Sequence, residues 1–393
     1  MTKIFDNFFL CSMFRHFSSP AMYDSKMRFL IPLSLVLVLK LFVAWAVYFV
    51  ATLDGGHFAT FWMKEWGIHP NPDWPLLFHG WDSAWYIRIA ETGYSYPAYA
   101  FFPAYPYLIR LGSLLTGEYF ISSFMISFVL GILAVPMFQM VAEHYMSRNE
   151  AIMSALFFGL FPPVFLFTGV AYTESLFAVA VIGTWLLCLK KRHLSATVSA
   201  VVATATKVYG FLVSVPLALR LLREGRRKDA ALAVLATLIT FGGWNAYLFH
   251  LTGDLGAYSA SQSHWQKGWP FGISSLLRFI LEMRSRPSQL AVPDLNTILI
   301  IAVLSLIIVL FGGLVFSMLD LDEDFSLYAL IQYLFLIAFG TVWSFVRFFP
   351  FVLPVWLMAR TRSRSIKAGM IVVSPIVSFV MWYQFVVLGV WFG

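Results

Sequence analysis

Long apolar runs follow one another along almost the whole chain, and they constrain the fold more than any other feature. Hydrophobic residues make up 60% of the sequence and charged residues only 12%. A helix needs about 20 apolar residues to cross a hydrocarbon layer, where only helices and closed barrels satisfy their backbone hydrogen bonds. We therefore predict an all-α fold, a polytopic transmembrane helical bundle with about nine to eleven membrane segments. The runs lie at 29–53, 119–142, 151–169, 174–189, 194–221, 229–251, 296–319, 325–343, 348–359 and 368–392.

Basic residues cluster in the short breaks between these runs, as is typical of loops that stay in the cytoplasm. Three such loops lie at 190–193, 220–228 and 360–367. If 194–221 were one straight helix, the first two loops would lie on opposite sides of the membrane. We therefore predict that this segment turns back near Lys207–Gly210 as two short helices; one long kinked helix is the alternative. We attribute the net charge of +7 to basic loop residues that set the orientation of the chain in the membrane, and we expect no nucleic-acid partner.

This topology predicts a simple domain organisation. Residues 1–28 form a cytoplasmic tail, and residues 29–393 form one membrane-embedded domain with long exterior loops at 54–118 and 252–295. Residues 143–150 and 320–324 are also expected on the cytoplasmic side. Glycine patterns of the Rossmann or P-loop kind are absent from the sequence, which argues against nucleotide chemistry of the familiar soluble type.

Asp82 is the leading candidate for chemistry. It lies in the first exterior loop within HGWDSAWYIRI, and the pattern predicts that it opens a short helix over 83–91. A carboxylate among aromatic side chains at the mouth of a membrane bundle can accept a proton from a hydroxyl group. Capping of the helix is the alternative role.

Aromatic residues of the same loop are candidates for stacking on a sugar ring, although an interfacial belt would account for them about equally well. They include Trp81, Tyr86, Tyr99, Phe102 and Tyr105.

Five polar residues complete the candidate substrate-binding set. Glu174 begins an apolar run, where a favourable interaction with the helix dipole is the alternative explanation. A cation at the predicted turn, Lys207, is expected to be functional. Arg347 could bind a phosphate, or its side chain could reach the headgroup region. Gln262 and His264 lie in the second exterior loop, where a lone histidine is usually uncommitted.

Four blocks of sequence, taken together, resemble a known family. WDSAWYIRIAETGYSY with AFFPAYPYLIR, then FPPVFLFTGVAYTESLF, YSASQSHWQKGW and WSFVRFFPFVLPVW are similar, in this order, to segments of the GPI mannosyltransferase II (PIG-V-like) family. They span about residues 78–360. Where the family commonly has Arg-Ser-Asn-Gly, this chain has Lys207-Val208-Tyr209-Gly210, so the polar contacts there must differ.

The resemblance implies a GT-C membrane glycosyltransferase, with residues 29–393 as its catalytic domain. Its donor would be a polyprenyl-phosphate sugar, usually dolichyl-phosphate mannose, and its acceptor a glycan or glycolipid. The compact chain looks more like a prokaryotic relative, which would place it in the cell membrane; a eukaryotic enzyme would lie in the endoplasmic reticulum membrane.

The expected reaction is inverting transfer on the exterior or luminal face. Asp82 would act as general base, while Arg347 and Lys207 would stabilise the leaving phosphate. We expect no metal and no cofactor. The alternative is a transporter or flippase for polyprenyl-linked lipids or sugars, since such proteins also contain broken helices and buried charge.

Overall fold

The computed structural model describes residues 27–53, 74–265, 323–339, 347–348, 352–353, 356–357 and 364–389. Within these residues the chain forms α-helices, 3-10 helices and turns, with no strand. The α-helices are α1 Met27–Leu53, α2 Asp82–Thr92, α3 Ala104–Thr116, α4 Tyr119–Tyr145, α5 Arg148–Leu160, α6 Pro162–Phe167, α7 Glu174–Leu189, α8 His193–Thr206, α9 Ser214–Arg223, α10 Arg227–Thr252, α11 Ala257–His264, α12 Glu323–Phe339 and α13 Arg364–Val386. The prediction of an all-α fold is confirmed.

Where the structure describes them, the apolar runs of the sequence correspond closely to helices. By length and composition, α1, α4 and α10 could each cross a membrane, and α7 is a shorter apolar helix. The run at 151–169 is divided into α5 and α6 because Pro162 follows Phe161, and a residue before proline is disfavoured in helical conformation. The run at 296–319 lies outside the described residues. The protein is an all-α helical membrane protein.

The segment 194–221 is broken where the sequence predicted a turn. Helix α8 ends at Thr206, Lys207 is extended (φ −147°, ψ 145°), and a 3-10 helix at Val208–Val213 leads into α9. Glycine is required at 210, because a β-carbon there would collide with the backbone of Ala203. Because glycine has no side chain, Gly210 lets the chain fold back against the end of α8.

Contacts between the two flanking basic loops show that the chain does reverse. Lys191, before α8, forms an ion pair with Glu224, after α9. The Nε2 atom of His193 lies 3.8 Å from the same carboxylate. One straight helix over 194–221 would hold these loops far apart, so the predicted hairpin is confirmed and the single long helix is excluded.

Other loops predicted to lie on the cytoplasmic side also meet one another. Arg28 lies 3.5 Å from Glu143, and Arg223 forms ion pairs of 2.8 Å with Glu323 and 3.1 Å with Asp324. These contacts show that the described parts of the predicted cytoplasmic loops lie close to one another. The membrane face that they occupy stays a prediction.

Helix α7 occupies the middle of the bundle and positions the candidate site. It packs between α4 and α8. Nearly all its side chains are buried, from Glu174 at its first residue to Cys188 near its last turn. The N-terminal end of α7 therefore lies inside the protein, where a carboxylate requires partners.

Candidate active site

Four charged side chains from four separate segments meet at one place. Nη1 of Arg347 lies 2.7 Å from Oδ2 of Asp82, the first residue of α2. Nε of Arg347 lies 3.0 Å from Oε1 of Glu174, the first residue of α7. Nζ of Lys207, at the break between α8 and the 3-10 helix, lies 2.9 Å from the same Oε1 atom. We call Asp82, Glu174, Lys207 and Arg347 the charge cluster.

Burial differs across the charge cluster in a way that indicates its open side. The side chain of Glu174 is fully buried, and those of Arg347 and Lys207 are 3% and 8% exposed. Asp82 is 13% exposed, so its carboxylate is the most accessible of the four. Two carboxylates and two cations balance in formal charge, as buried ionic groups require.

The backbone around Asp82 is held in an unusual conformation. Trp81 has a positive φ of 44°, a region that bulky residues rarely adopt. The backbone N–H of Asp82 donates to the hydroxyl of Tyr172 at 3.1 Å. At the start of α2 no side chain caps the helix, and the carboxylate of Asp82 instead accepts a hydrogen bond from Arg347. Helix capping therefore does not explain this residue.

Glu174 is held by hydroxyl groups as well as by cations. The hydroxyl of Thr173 donates to Oε2 of Glu174 at 3.3 Å, and the hydroxyl of Tyr86 lies 3.3 Å from that of Thr173. Burial raises the pKa of Tyr86 well above its usual value, and the negative charges of Asp82 and Glu174 raise it further. Tyr86 therefore stays protonated and acts as a hydrogen-bond donor.

Aromatic rings surround the two cations of the charge cluster. Nζ of Lys207 lies 4.6 Å from the ring centre of Phe348, and Cζ of Arg347 lies 4.5 Å from the same ring. The ring of Tyr172 is 5.3 Å from Cζ of Arg347. Cation–π attraction stabilises the cations in this partly dry setting.

The predicted first exterior loop is fastened to the bundle by buried hydrogen bonds. The hydroxyl of Tyr105 donates to the carbonyl of Ser123 at 2.7 Å and lies 2.8 Å from the hydroxyl of Ser127. Ser127 in turn donates to the carbonyl of Tyr172 at 2.6 Å. Nε2 of His79 lies 2.8 Å from the hydroxyl of Ser123, and burial lowers the pKa of His79 to about 4. These bonds fasten α3, the segment before α2 and the segment before α7 to α4.

The remaining predicted site residues lie in the aromatic packing of the exterior loops. Phe102 is buried and contacts Trp244, with Tyr99 packed against the same group. Tyr105 is fully buried, and Trp81 is partly buried against the main core. In this structure Phe102 and Tyr105 contribute to packing, and their predicted contact with a substrate remains a prediction.

Gln262 and His264 lie in α11, which packs on the first exterior loop. The amide of Gln262 donates to the hydroxyl of Tyr258 at 2.9 Å, and the ring of His264 meets that of Tyr96. Next to them, Trp265 packs edge-on against Trp85. The described start of the predicted second exterior loop therefore packs against the predicted first exterior loop.

Several buried polar residues with structural contacts could not be singled out from the sequence. Tyr172 and Thr173 stand in the AYTESLF block, but only the fold shows that their hydroxyls contact Asp82 and Tyr86. Lys40 is fully buried in α1, and its Nζ donates to the hydroxyl of Thr168 at 2.6 Å. In the sequence, Lys40 stands out only as a lone lysine within an apolar run.

No group of three or more His, Cys, Asp or Glu that could hold a metal is found in the part of the chain that the structure describes. The donors of the charge cluster are two carboxylates already bound by cations. The expectation of a reaction without metal stays a prediction.

Comparison with known proteins supports the resemblance noted in the sequence. Residues 75–222 match the family described as mannosyltransferase (PIG-V), and this range contains Asp82, Glu174 and Lys207. Arg347 lies beyond it. No curated protein matches the chain. Over residues 75–222 the chain is therefore similar to the PIG-V mannosyltransferase family, and this similarity supports a glycosyltransferase.

Proposed function

We propose that the protein transfers mannose, with inversion, from a polyprenyl-phosphate donor such as dolichyl-phosphate mannose to a glycan or glycolipid. The protein would be a multi-pass membrane enzyme, and the reaction would occur on the exterior or luminal face. The observation that carries the proposal is the charge cluster: a carboxylate that can accept a proton lies beside cations that can hold a phosphate.

Asp82 is the general base in this proposal. Its carboxylate is the most exposed group of the charge cluster, so an acceptor hydroxyl can approach it. Its partner Arg347 has five N–H donors on a planar group, which suits both a carboxylate and a phosphate. One guanidinium can therefore contact the base and the leaving group during the same reaction.

The proposed step balances in charge at this point. The acceptor hydroxyl gives its proton to Asp82, and its oxygen forms a bond to the anomeric carbon of mannose. The bond from that carbon to the phosphate oxygen breaks, and its electron pair stays on the phosphate. Asp82 loses one negative charge while the leaving phosphate gains one. Arg347 and Lys207 stay in place and stabilise the new charge.

Glu174 acts as a positioning residue for the two cations. It is fully buried, and its Oε1 atom contacts both Lys207 and Arg347. Complete burial favours this role over the direct substrate contact that the sequence suggested. Removing the carboxylate would leave two buried cations without their shared partner.

The size of each contribution can be bounded. General-base help accounts for roughly 10²–10⁴-fold in rate. Electrostatic stabilisation of the developing charge by fixed donors is commonly worth a further 10²–10³-fold for each donor. The cation clamp therefore contributes on the same scale as the base.

Transfer of labelled mannose tests the proposal directly. Membranes that contain the protein are supplied with polyprenyl-phosphate mannose, and labelled endogenous lipid or glycan is measured. Asp82→Asn should reduce transfer by roughly 10²–10⁴-fold, whereas Glu91→Gln should not reduce it, since Glu91 is an exposed carboxylate on the same helix. Movement of the donor across the membrane without transfer would refute the proposal and favour the transporter.

A further inference from the structure

A polar cavity lies away from the charge cluster, at the other end of α2. Its volume is about 50 Å³, and it lies between the C-terminal end of α2, helix α3 and helix α10. Asp82 begins α2, and the cavity contacts its last turn, about 15 Å away at 1.5 Å per residue. A cavity of this size holds a few waters or one small polar group.

The polar groups of this cavity are one arginine and three phenols. They are Arg110, Tyr94, Tyr107 and Tyr247. The hydroxyl of Tyr94 is buried and makes no hydrogen bond to any residue that the structure describes. Since a buried hydroxyl without a partner is costly, a ligand that accepts a hydrogen bond from it would be favoured.

Arg110 supplies a positive charge that the described residues do not neutralise. Its Nη2 donates to the backbone carbonyl of Glu91 at 3.3 Å. None of the ion pairs among the described ranges involves Arg110. A guanidinium has five donors and binds phosphate in a two-point geometry. The cavity therefore suits an anion with several acceptor oxygens.

The surface next to the cavity is strongly apolar. Helix α3 exposes Leu111, Leu114 and Leu115, whose side chains are 60%, 79% and 91% exposed. Because α3 lies in the predicted first exterior loop, such a face suits contact with the hydrocarbon boundary of the membrane, as in helices that lie in the interface. An occupant with an anionic head and an apolar tail would place the head at Arg110 and the tail along these leucines.

We propose that the cavity of Tyr94, Tyr107, Arg110 and Tyr247 binds the phosphate headgroup of a membrane lipid. This site is separate from the donor phosphate site at Arg347 and does not depend on the proposed reaction. Burial raises the pKa of Tyr94 well above its usual value, so its hydroxyl stays a donor to the phosphate.

Lipid binding to the purified full-length protein in detergent tests this site. Native mass spectrometry would count bound phosphatidylglycerol during a titration, with inorganic phosphate as the competing probe. We expect Arg110→Gln to weaken binding about tenfold, because a charge-assisted pair is lost. Tyr94→Phe, which removes only the buried hydroxyl, should weaken it several-fold. Inorganic phosphate in the millimolar range should not displace the lipid.

Arg148→Gln is the matched control, since it removes an exposed charge from the start of α5. It should bind phosphatidylglycerol like the parent. Arg110 is exposed, so Arg110→Gln should leave the melting temperature unchanged. If Arg110→Gln does lower the melting temperature, the test rests on Tyr94→Phe instead. Parent-like affinity in a folded Tyr94→Phe or Arg110→Gln protein would overturn the proposal. Displacement of the lipid by inorganic phosphate at equal concentration would also overturn it, because the tail would then contribute nothing.

Discussion

The guanidinium of Arg347 lies 2.7 Å from the carboxylate of Asp82, although 265 positions separate the two residues in the chain. This ion pair joins the predicted first exterior loop to the C-terminal part of the protein. It also connects, through Glu174, to Lys207 in the helical hairpin. Each group of the charge cluster therefore depends on the fold of a different segment.

Arg347 can be tested by substitution with lysine and with alanine. Lysine keeps the charge but lacks the two-point geometry, so transfer should fall in the order Arg, Lys, Ala, with weaker saturation by the donor. Titration with polyprenyl-phosphate mannose measures this, with unfolding monitored in parallel. If Arg347 merely reached the headgroups, Arg347→Lys would match the parent. Unchanged donor saturation in a folded Arg347→Ala protein would contradict the phosphate role.

Glu174→Gln should both destabilise the protein and reduce transfer. It leaves Lys207 and Arg347 as buried cations without their shared carboxylate, a loss of about 3–5 kcal/mol in the free energy of unfolding. The double variant Glu174→Gln with Lys207→Met restores the charge balance and should regain part of the stability, but not the activity. Full transfer by the double variant would show that neither side chain takes part.

The hairpin predicts which loops can be labelled from which side. With the native cysteines changed to serine, Lys190→Cys and Lys228→Cys should react with an impermeant reagent only from the cytoplasmic side, since both positions are exposed. Glu91→Cys, in the first exterior loop, should react only from outside. Labelling of 190 and 228 from opposite faces would be incompatible with the contacts of Glu224.

His79 should make stability depend on pH. Its pKa is about 4 in the folded protein because of burial, against about 6.5 when unfolded, so the unfolded state binds more protons between these values. The contribution of neutral His79 to the free energy of unfolding is fully present above pH 6.5. It should fall by about 3 kcal/mol as the pH approaches 4. Denaturation at several pH values should show a smaller slope in His79→Gln than in the parent. The exposed His264→Gln serves as the control, and an equal slope in all three proteins would contradict this role.

Part of this site could be predicted from sequence because its signals are local. The helix that begins at Asp82 follows from the pattern of its own residues, and the break at Lys207 follows from the positions of two basic loops. The residues that contact each charged group could not be predicted from the sequence. Nothing near Glu174 in the sequence indicates that its carboxylate binds Lys207 and Arg347, since these contacts arise from packing of distant helices.

The roles of the aromatic residues show the same limit. Tyr86 and Tyr105 look alike as candidates for stacking on a sugar, since both belong to one aromatic tract. In the fold, Tyr86 reaches the charge cluster through Thr173, whereas Tyr105 is fully buried and bonded to Ser123. Composition alone does not distinguish a ring that lines a site from one that supports it, because burial depends on the neighbouring helices.

Mannose transfer by Asp82→Asn tests the central claim most directly. The amide is similar in size to the carboxylate and should keep the fold, but it cannot take the proton of the acceptor. We predict that transfer from polyprenyl-phosphate mannose falls by roughly 10²–10⁴-fold, with donor saturation retained and with Glu91→Gln unaffected. Turnover close to that of the parent in a folded Asp82→Asn protein would contradict the assignment of Asp82 as the base.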